Sequence, residues 1–285
     1  ASRGLGDVYK RQAYIANGLI GLRVREQPLQ PGMAIINGFA AEHPERRLEA
    51  AAPAPYPLAG DLALNGVWLS DQPSSVSQLV QRYDFAAGEL TSLFRYEAAG
   101  VAADVAVVTF ASRTAPSVVL QEVEVRPSAP CDVGLRAIVE TGGLRGRVAR
   151  RRTDTPGEPE PVCDGSLLWE SEGGMSQCGL ALVTALDGGG DAEPSTQAWD
   201  AAGPLRSEYR VRARSDRSVQ LRQIVAAVPS IVHDRPDEEA VRRVARAKAT
   251  GFDELRARNR AEWAELWRGR IVAVSYTHLT LPTKA

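Results

Sequence analysis

Short runs in which apolar and polar residues alternate recur along the chain, separated by turn residues, as in antiparallel strands with one face on a core. In VGLRAIVET, Val133, Leu135, Ala137 and Val139 alternate with Gly134, Arg136 and Glu140, and Ile138 falls out of step. YRVRAR alternates throughout, which aims Tyr209, Val211 and Ala213 inward and Arg210, Arg212 and Arg214 at water. Residues 101–110, 118–125 and 221–228 are more apolar and belong nearer the middle of a sheet. Roughly a dozen strands result, a number that favours two packed sheets over one open sheet.

After His233 the texture changes. Asp234 and Pro236 precede an acidic first turn, Asp237, Glu238 and Glu239, which suits the positive end of a helix dipole. Val241, Val244, Ala245 and Lys248 carry one helical face to Thr250-Gly251, where the helix should break or bend. A second helix should set Phe252, Leu255, Trp263, Leu266 and Trp267 on one side. Two tryptophans four apart on a helix are read as packing rather than as a sugar platform.

Two other segments read as connections. Between Leu144 and Gly165 the basic RGRVARRR is followed by the acidic, proline-rich TDTPGEPEPVCDG, and the whole reads as a loop. Its arginines lack the interleaved aromatics of a nucleic-acid platform and have an acidic partner beside them. DGGGD at 187–191 reads as a hairpin connection, with neither the strand-to-helix setting nor the lysine of a phosphate loop.

Composition narrows the class without naming a partner. The 285 residues are 44% hydrophobic and 24% charged, which fits a globular domain and excludes a disordered or fibrous chain. With 34 Lys and Arg against 35 Asp and Glu, no overall field draws the chain to nucleic acid or to an anionic membrane. No apolar run approaches the roughly 20 residues of a bilayer-spanning helix. Cys131, Cys163 and Cys178 show no metal-ligand spacing, so no zinc site is expected, and they read as buried thiols.

The two ends read as foreign sequence. Asp7 to Gln12 can be encoded GAT GTG TAT AAG AGA CAG, and the reverse complement of that string, from its third base, encodes Val-Ser-Tyr-Thr-His, as found from Val274 to His278. One DNA element in two orientations would yield both, and it resembles a transposon end used in preparing sequencing libraries. Residues 1–12 and 274–285 are therefore set apart as non-native and adapter-derived. The expected organisation is a β-sandwich over 13–232 and a helical linker over 233–273.

Within that native segment, AYIANGLIGLRV carries an Asn17-Gly18-x-x-Gly21-x-Arg23 pattern. A Gly38-Phe39 turn follows, then LALNGVWL, then LVQRYDFAAGELTSLFRYE as paired strands, and finally NRAEWAELWRGRIV, where a tryptophan pair precedes a short Ile-Val strand. In this order, over 13–272, the motifs resemble the N-terminal region of glycoside hydrolase family 65 proteins. The absence of an aromatic between Asn17 and Gly21 looks nearer to trehalase-like and glucosidase-like members than to phosphorylases.

The resemblance implies a mainly β fold, a large two-sheet antiparallel sandwich of the galactose-mutarotase-like supersandwich type, followed by C-terminal linker helices. It implies a parent enzyme acting on α-glucosides such as trehalose, maltose or kojibiose by inverting hydrolysis or phosphorolysis. In that chemistry a glutamic acid protonates the leaving oxygen while activated water or phosphate attacks the opposite face. Both catalytic groups and any phosphate pocket lie in the family's (α/α)6 barrel, beyond residue 273, so no catalytic residue is carried onto this chain. No metal and no cofactor are implied, only inorganic phosphate as co-substrate if the parent is a phosphorylase. The implied partners are the barrel in cis, the α-glucoside through the parent enzyme, and a second copy in a homodimer.

For this segment the resemblance implies structural roles for Asn17, Gly18, Gly21 and Arg23, and a substrate-entrance role for loops between Gly32 and Pro57, with Asn37, His43 and Glu45 as candidates. Glu122 and Glu124, with Glu140 and Asp132, could form an acid/base pair but read as the wet face of sheets. His43 and His233 have no nucleophile motif beside them. Without the barrel, the Phe252, Trp263 and Trp267 stripe is expected to be exposed. A stand-alone carbohydrate-binding sandwich and a mutarotase-like enzyme are the alternatives; the first calls for exposed aromatics and the second for a His and a carboxylate in one groove.

Overall fold

The computed structural model describes residues 13–153, 162–188, 193–194, 203–215 and 217–269. Both segments set apart as adapter-derived lie outside the described residues, as do 154–161 of the proline-rich stretch and 189–191 of the glycine turn.

Seventeen strands and two helices follow one another among the described residues. The first group is β1 (Ala13–Ala16), β2 (Ile20–Val24), β3 (Met33–Glu42), β4 (Glu49–Ala54), β5 (Tyr56–Leu64) and β6 (Val67–Trp68). Next come β7 (Val76–Asp84), β8 (Glu89–Ala98), β9 (Val101–Ala111), β10 (Val118–Pro127) and β11 (Cys131–Glu140). The last strands are β12 (Gly146–Thr153), β13 (Gly165–Ser171), β14 (Gln177–Asp187), β15 (Glu193–Pro194), β16 (Leu205–Ala213) and β17 (Val219–Pro229), before α1 (Pro236–Thr250) and α2 (Phe252–Arg268).

All pairings are antiparallel, and the expected sandwich has one undivided layer and one divided layer. The large sheet runs β12-β13-β14-β17-β10-β9-β8-β7. Facing it are a sheet of β1-β2-β3-β4 and another of β15-β16-β11-β5-β6. One core joins Ile15, Ile20, Leu22 and Ile36 of the four-stranded sheet to Leu167, Leu180 and Val225 of the large one, with Cys178 among them. A second, holding Cys131, joins Leu62, Val133 and Val211 to Phe94, Tyr96 and Val105.

The alternation in the sequence explains these faces. Val133, Leu135, Ala137 and Val139 are all buried, and on β16 Val211 and Ala213 are buried while Arg210 and Arg212 face out. In β10, Val119, Val123 and Val125 look into the sandwich, whereas Val118 and Leu120 look outward and are buried under the helices. Burial on both faces is why Val118, Val119 and Leu120 stand in a row without alternation. Two amides cross the layers: Gln121 Nε2 donates to the Leu58 carbonyl at 3.2 Å and Gln223 Nε2 to the Pro57 carbonyl at 2.9 Å.

The helices lie on the outer face of the large sheet and close a third core, with Phe110, Val118, Leu120, Cys163, Val183 and Ile224 below and Ala240, Val244, Ala247, Phe252 and Leu255 above. Where α1 begins, Gly179 of β14 lets the backbones touch, since a Cβ there would overlap the Pro236 carbonyl. The buried stripe of α1 is Asp237, Ala240, Val244 and Ala247, rotated from the expected one, and Lys248 faces outward. Asp237 tolerates burial because Arg150 reaches it at 2.9 Å. Among the described residues no helix is long and apolar enough to cross a membrane.

Three expectations are corrected. The stretch after Leu144 is not all loop: 146–153 form β12, an edge strand on β13 whose arginines pair outward, Arg147 with Glu170 at 2.7 Å and Arg150 with Asp237. A charged edge strand blocks further strand addition, so the lost alternation reflects position in the sheet rather than lack of a strand. Gly38-Phe39 is not a turn but a kink inside β3, where Gly38 has φ of 78° and the pairing with β4 shifts between Ile35 and Ala40. The Phe252 stripe is also less exposed than expected, because the sandwich itself covers it. Phe252 is buried edge-on against Phe110 at 5.7 Å, and Trp263 and Trp267 are only partly accessible.

Candidate functional site

The strand directions gather one set of turns at one end of the sandwich. β9 ends and β10 begins there, opposite the end of β17 and the start of β14, while β7 ends and β8 begins alongside. The turns at 85–88, 112–117, 172–176 and 230–235 therefore share this end with the β1-β2 hairpin and with α2.

Asn17 fixes the hairpin to its neighbours. Its Oδ1 accepts from the backbone N–H of Leu19 and Ile20 at 3.1 and 2.9 Å, and its Nδ2 donates to the carbonyls of Ser112 and Pro116 at 2.7 and 2.9 Å. Gly18 takes the positive φ of the turn, 97°, which disfavours a side chain. Gly21 lies under Tyr14, whose hydroxyl would meet any Cβ there. Arg23 is exposed on β2.

The same end seats α2. Asn259, fully buried, donates from Nδ2 to the Ala87 carbonyl at 3.0 Å and accepts the Arg113 backbone N–H at Oδ1 at 3.1 Å, which pins the helix to two turns at once. Glu89, at 4% exposure, accepts from Arg256 at 2.8 Å and Arg260 at 2.7 Å. Burial works to raise the Glu89 pKa, but the hydrogen bonds from Arg260 and Arg256 outweigh it and hold the carboxyl below the ordinary glutamate range. The Arg113 guanidinium lies over the Trp263 ring at 5.1 Å, and Trp267 Nε1 donates to the Phe85 carbonyl at 2.6 Å. Beyond these contacts Leu266 and Phe85 stand 53% and 65% exposed.

Asn37, His43 and Glu45 do not converge. Asn37 lies within β3 and is exposed, its backbone N–H on the Leu19 carbonyl at 2.8 Å. His43 begins the 43–48 hairpin turn, beyond the Gly38 kink of β3. Its Nδ1 accepts the backbone N–H of Glu45 and Arg46, both at 3.3 Å, so the imidazole caps its own turn, and Glu45 is exposed beside it. The expected loop between Gly32 and Pro57 is thus mostly the β3-β4 hairpin, and only its tip is a loop.

Each carboxylate singled out as an acid/base candidate is engaged locally. Glu122, buried under the helices rather than wet, pairs with Arg222 at 2.8 Å, and Glu124 pairs with Arg126 at 3.3 Å. Glu140 accepts the N–H of Thr141 and Gly142, and Asp132 pairs with Arg212 at 2.8 Å. Sequence reasoning missed Asp164, whose pKa is raised by burial against opposing hydrogen bonds from Thr184 and Ser207 and the charge of Lys248. A raised carboxyl suits a general acid, but Asp164 sits between the layers on hydroxyls, Ser207 Oγ at 2.7 Å and Thr184 Oγ1, the latter also bonded to Tyr209. Among the described residues no cluster of three His, Cys, Asp or Glu could hold a metal ion.

Comparison with known proteins fits this architecture. The family described as glycosyl hydrolase family 65, N-terminal domain, matches residues 7–266, so the match takes in the sandwich, α1 and most of α2. Among solved structures, a protein described as a kojibiose phosphorylase from the human microbiome superposes with a TM-score of 0.71 at 9% identity. That alignment covers 90% of this chain and 35% of the phosphorylase, so this chain spans about a third of its length. A bacterial glucoamylase solved with acarbose aligns over 89% of this chain and 36% of its own at a TM-score of 0.41 and 5% identity. No curated protein matches the sequence.

Proposed function

The chain belongs to the family of glycosyl hydrolase family 65 N-terminal domains, and from that premise we propose that it is the supporting sandwich of an enzyme that cleaves α-glucosidic bonds. The chemistry falls to an (α/α)6 barrel following α2. Trehalose, maltose and kojibiose are the candidate substrates, with water or inorganic phosphate as the attacking group. The observation that carries this reading is the extent of the family match, which ends at residue 266 within α2.

The geometry says what such a domain would contribute. An inverting cleavage needs a protonated carboxyl on one side of the anomeric carbon and an activated water or phosphate on the other. Here Glu89 and Glu122 are tied to arginines of α2 and β17 and serve to hold the helix. A rigid helix seat fixes the direction in which the chain proceeds toward the barrel. The 43–48 hairpin, with Asn37 further down β3, is the part offered to the substrate entrance.

Two assays test the reading. The chain alone is expected to release neither glucose nor glucose 1-phosphate from trehalose, maltose or kojibiose, with or without phosphate, while the chain extended by its downstream coding sequence does so. Turnover by the isolated chain, or a downstream sequence without a helical barrel, overturns the proposal. In the extended enzyme, alanine at Asn37, His43 and Glu45 should raise KM for at least one disaccharide. Unchanged kinetics on all three would remove the entrance role alone.

A further inference from the structure

The five-stranded sheet turns its outer face to solvent, and one part of that face is built as a slot. Asn65 and Gly66 form a two-residue turn with φ of 47° and 84°, the left-handed pair of a type I′ hairpin, and the turn returns the chain as β6. The turn is locked to β11: the Asn65 N–H donates to the Asp132 carbonyl at 2.8 Å, and the Asp132 N–H to Asn65 Oδ1 at 3.0 Å. Tyr96 Oη also donates to the Val67 carbonyl at 3.0 Å. These bonds hold Trp68 in place before any ligand arrives.

One face of the Trp68 ring is taken by the Arg136 guanidinium, 3.4 Å from the ring centroid and itself only 20% exposed. The indole also borders a cleft of about 630 Å³, which Arg136 does not line. Gly134 also lines that cleft, and a Cβ there would come within 3.0 Å of the indole edge, so the missing side chain is what lets the ring stand against β11. Asn65, Asp132, Arg210 and Arg212 form the rim.

The rim charges are already balanced. Arg212 is paired with Asp132 at 2.8 Å and Arg210 with Glu208 at 3.2 Å, while Arg136, behind the indole, is held between Glu208 at 2.7 Å and Asp61 at 3.6 Å. An anionic ligand would find no uncompensated cation, and a purely apolar one would strand the polar rim. A neutral ligand with one apolar face and a girdle of hydroxyls meets both demands, because a hydroxyl both donates and accepts and can bond to a guanidinium and a carboxylate of the same pair. An aromatic wall and a few fixed polar groups are common ingredients of a small-molecule site.

We infer that the Trp68–Gly134 slot is a binding site for a neutral pyranoside, with the sugar ring stacked on the indole and its hydroxyls on Asp132, Arg210 and Arg212. It lies on the outer face of the five-stranded sheet, whereas the α2 seat lies on the large sheet. The slot stands on its own geometry; the choice of α-linked glucosides as first ligands rests on the proposed function.

The test is indole-resolved NMR of the whole chain, which has five tryptophans, titrated with maltotetraose, kojibiose, cellotetraose and inorganic phosphate. The expected result is a shift of the Trp68 indole, assigned through Trp68→Phe, with saturation in the millimolar range, and, read from backbone amide shifts of 132–134 and 210–212, a loss of affinity of about tenfold or more in Trp68→Ala. Asp132→Ala and Arg212→Ala, at exposed rim positions, should also weaken binding and keep the result readable if Trp68→Ala fails to fold. No shift of the Trp68 indole by any saccharide at roughly 20 mM overturns the site. So does a response to phosphate alone, or binding undiminished in the rim variants. Binding of cellotetraose with no α-glucoside bound would leave the slot standing and count against the α-glucoside reading.

Discussion

Replacing Asn259 by alanine removes one side chain that satisfies two backbone groups at once. The Ala87 carbonyl would be left buried without a donor, and the half-buried Arg113 N–H without its acceptor. An unpaired buried polar group costs on the order of 1–3 kcal/mol, toward the lower end where water has partial access, so the pair should cost roughly 2–4 kcal/mol. For comparison, the Arg258–Glu254 pair on the same helix is 56% and 52% exposed and should contribute about 0–1 kcal/mol. At about 2–4 °C per kcal/mol for a domain of this size, Asn259→Ala should melt roughly 4–16 °C below the parent chain, with Arg258→Ala close to it. Thermal melts followed by circular dichroism read the global effect, and hydrogen exchange over 252–268 reads α2 itself. If the helix opens as a local unit, the cost appears as faster exchange in 252–268 with the sandwich midpoint unchanged. An Asn259→Ala chain that matched the parent in both readouts, or lost no more than Arg258→Ala, would refute the claim that this residue seats the helix.

Two further outcomes follow from the same contacts. Gly179→Ala would drive a Cβ into the Pro236 carbonyl, and backbone cannot step aside as a side-chain tip can; a loss of about 1–3 kcal/mol is expected, read by urea denaturation with faster exchange in α1, and a loss within about 0.5 kcal/mol would contradict it. Because its arginines hold the Glu89 carboxyl below the ordinary range, its contribution is complete above the unfolded value, about 4.5, and fades as pH falls through the lower folded one. Glu89→Gln should therefore flatten the fall in Tm below about pH 4.5, and parallel Tm curves for the two chains would show that the pairing does not matter to stability.

Much of this fold could be read from residue order, because a strand with one wet face writes its geometry into alternate positions. β11 and β16 were legible for that reason, and α1 from its acidic first turn. What escaped were features that depend on partners distant in sequence. β12 is hidden because an edge strand offers its arginines to solvent and to Glu170 and Asp237, leaving little apolar signal. Burial of Phe252 depends on Phe110, far back in the chain, and the tie made by Asn259 depends on turns at 87 and 113. A clue to Asn259 did exist: it continues the spacing of Phe252 and Leu255, and a polar residue on an apolar helical stripe signals a buried partner. Among the entrance candidates, residue type alone could not show that the His43 imidazole is occupied by its own turn. Trp68 was visible as a tryptophan in LALNGVWL, but only the bare Gly134, brought near by pairing of β5 with β11, lets its ring stand against the sheet.

The three cysteines are distributed one to each core: Cys178 between the large and four-stranded sheets, Cys131 between the large and five-stranded sheets, and Cys163 beneath the helices. All are buried, and for Cys131 and Cys178 burial also pushes the thiol pKa up, so attack by an alkylating reagent must wait for the surrounding layer to part. The chain thus carries its own set of time-stamps. The sequence in which the three sulfurs become modified during slow denaturant exposure would give the order in which the helices and the two halves of the divided layer come away, with no label introduced.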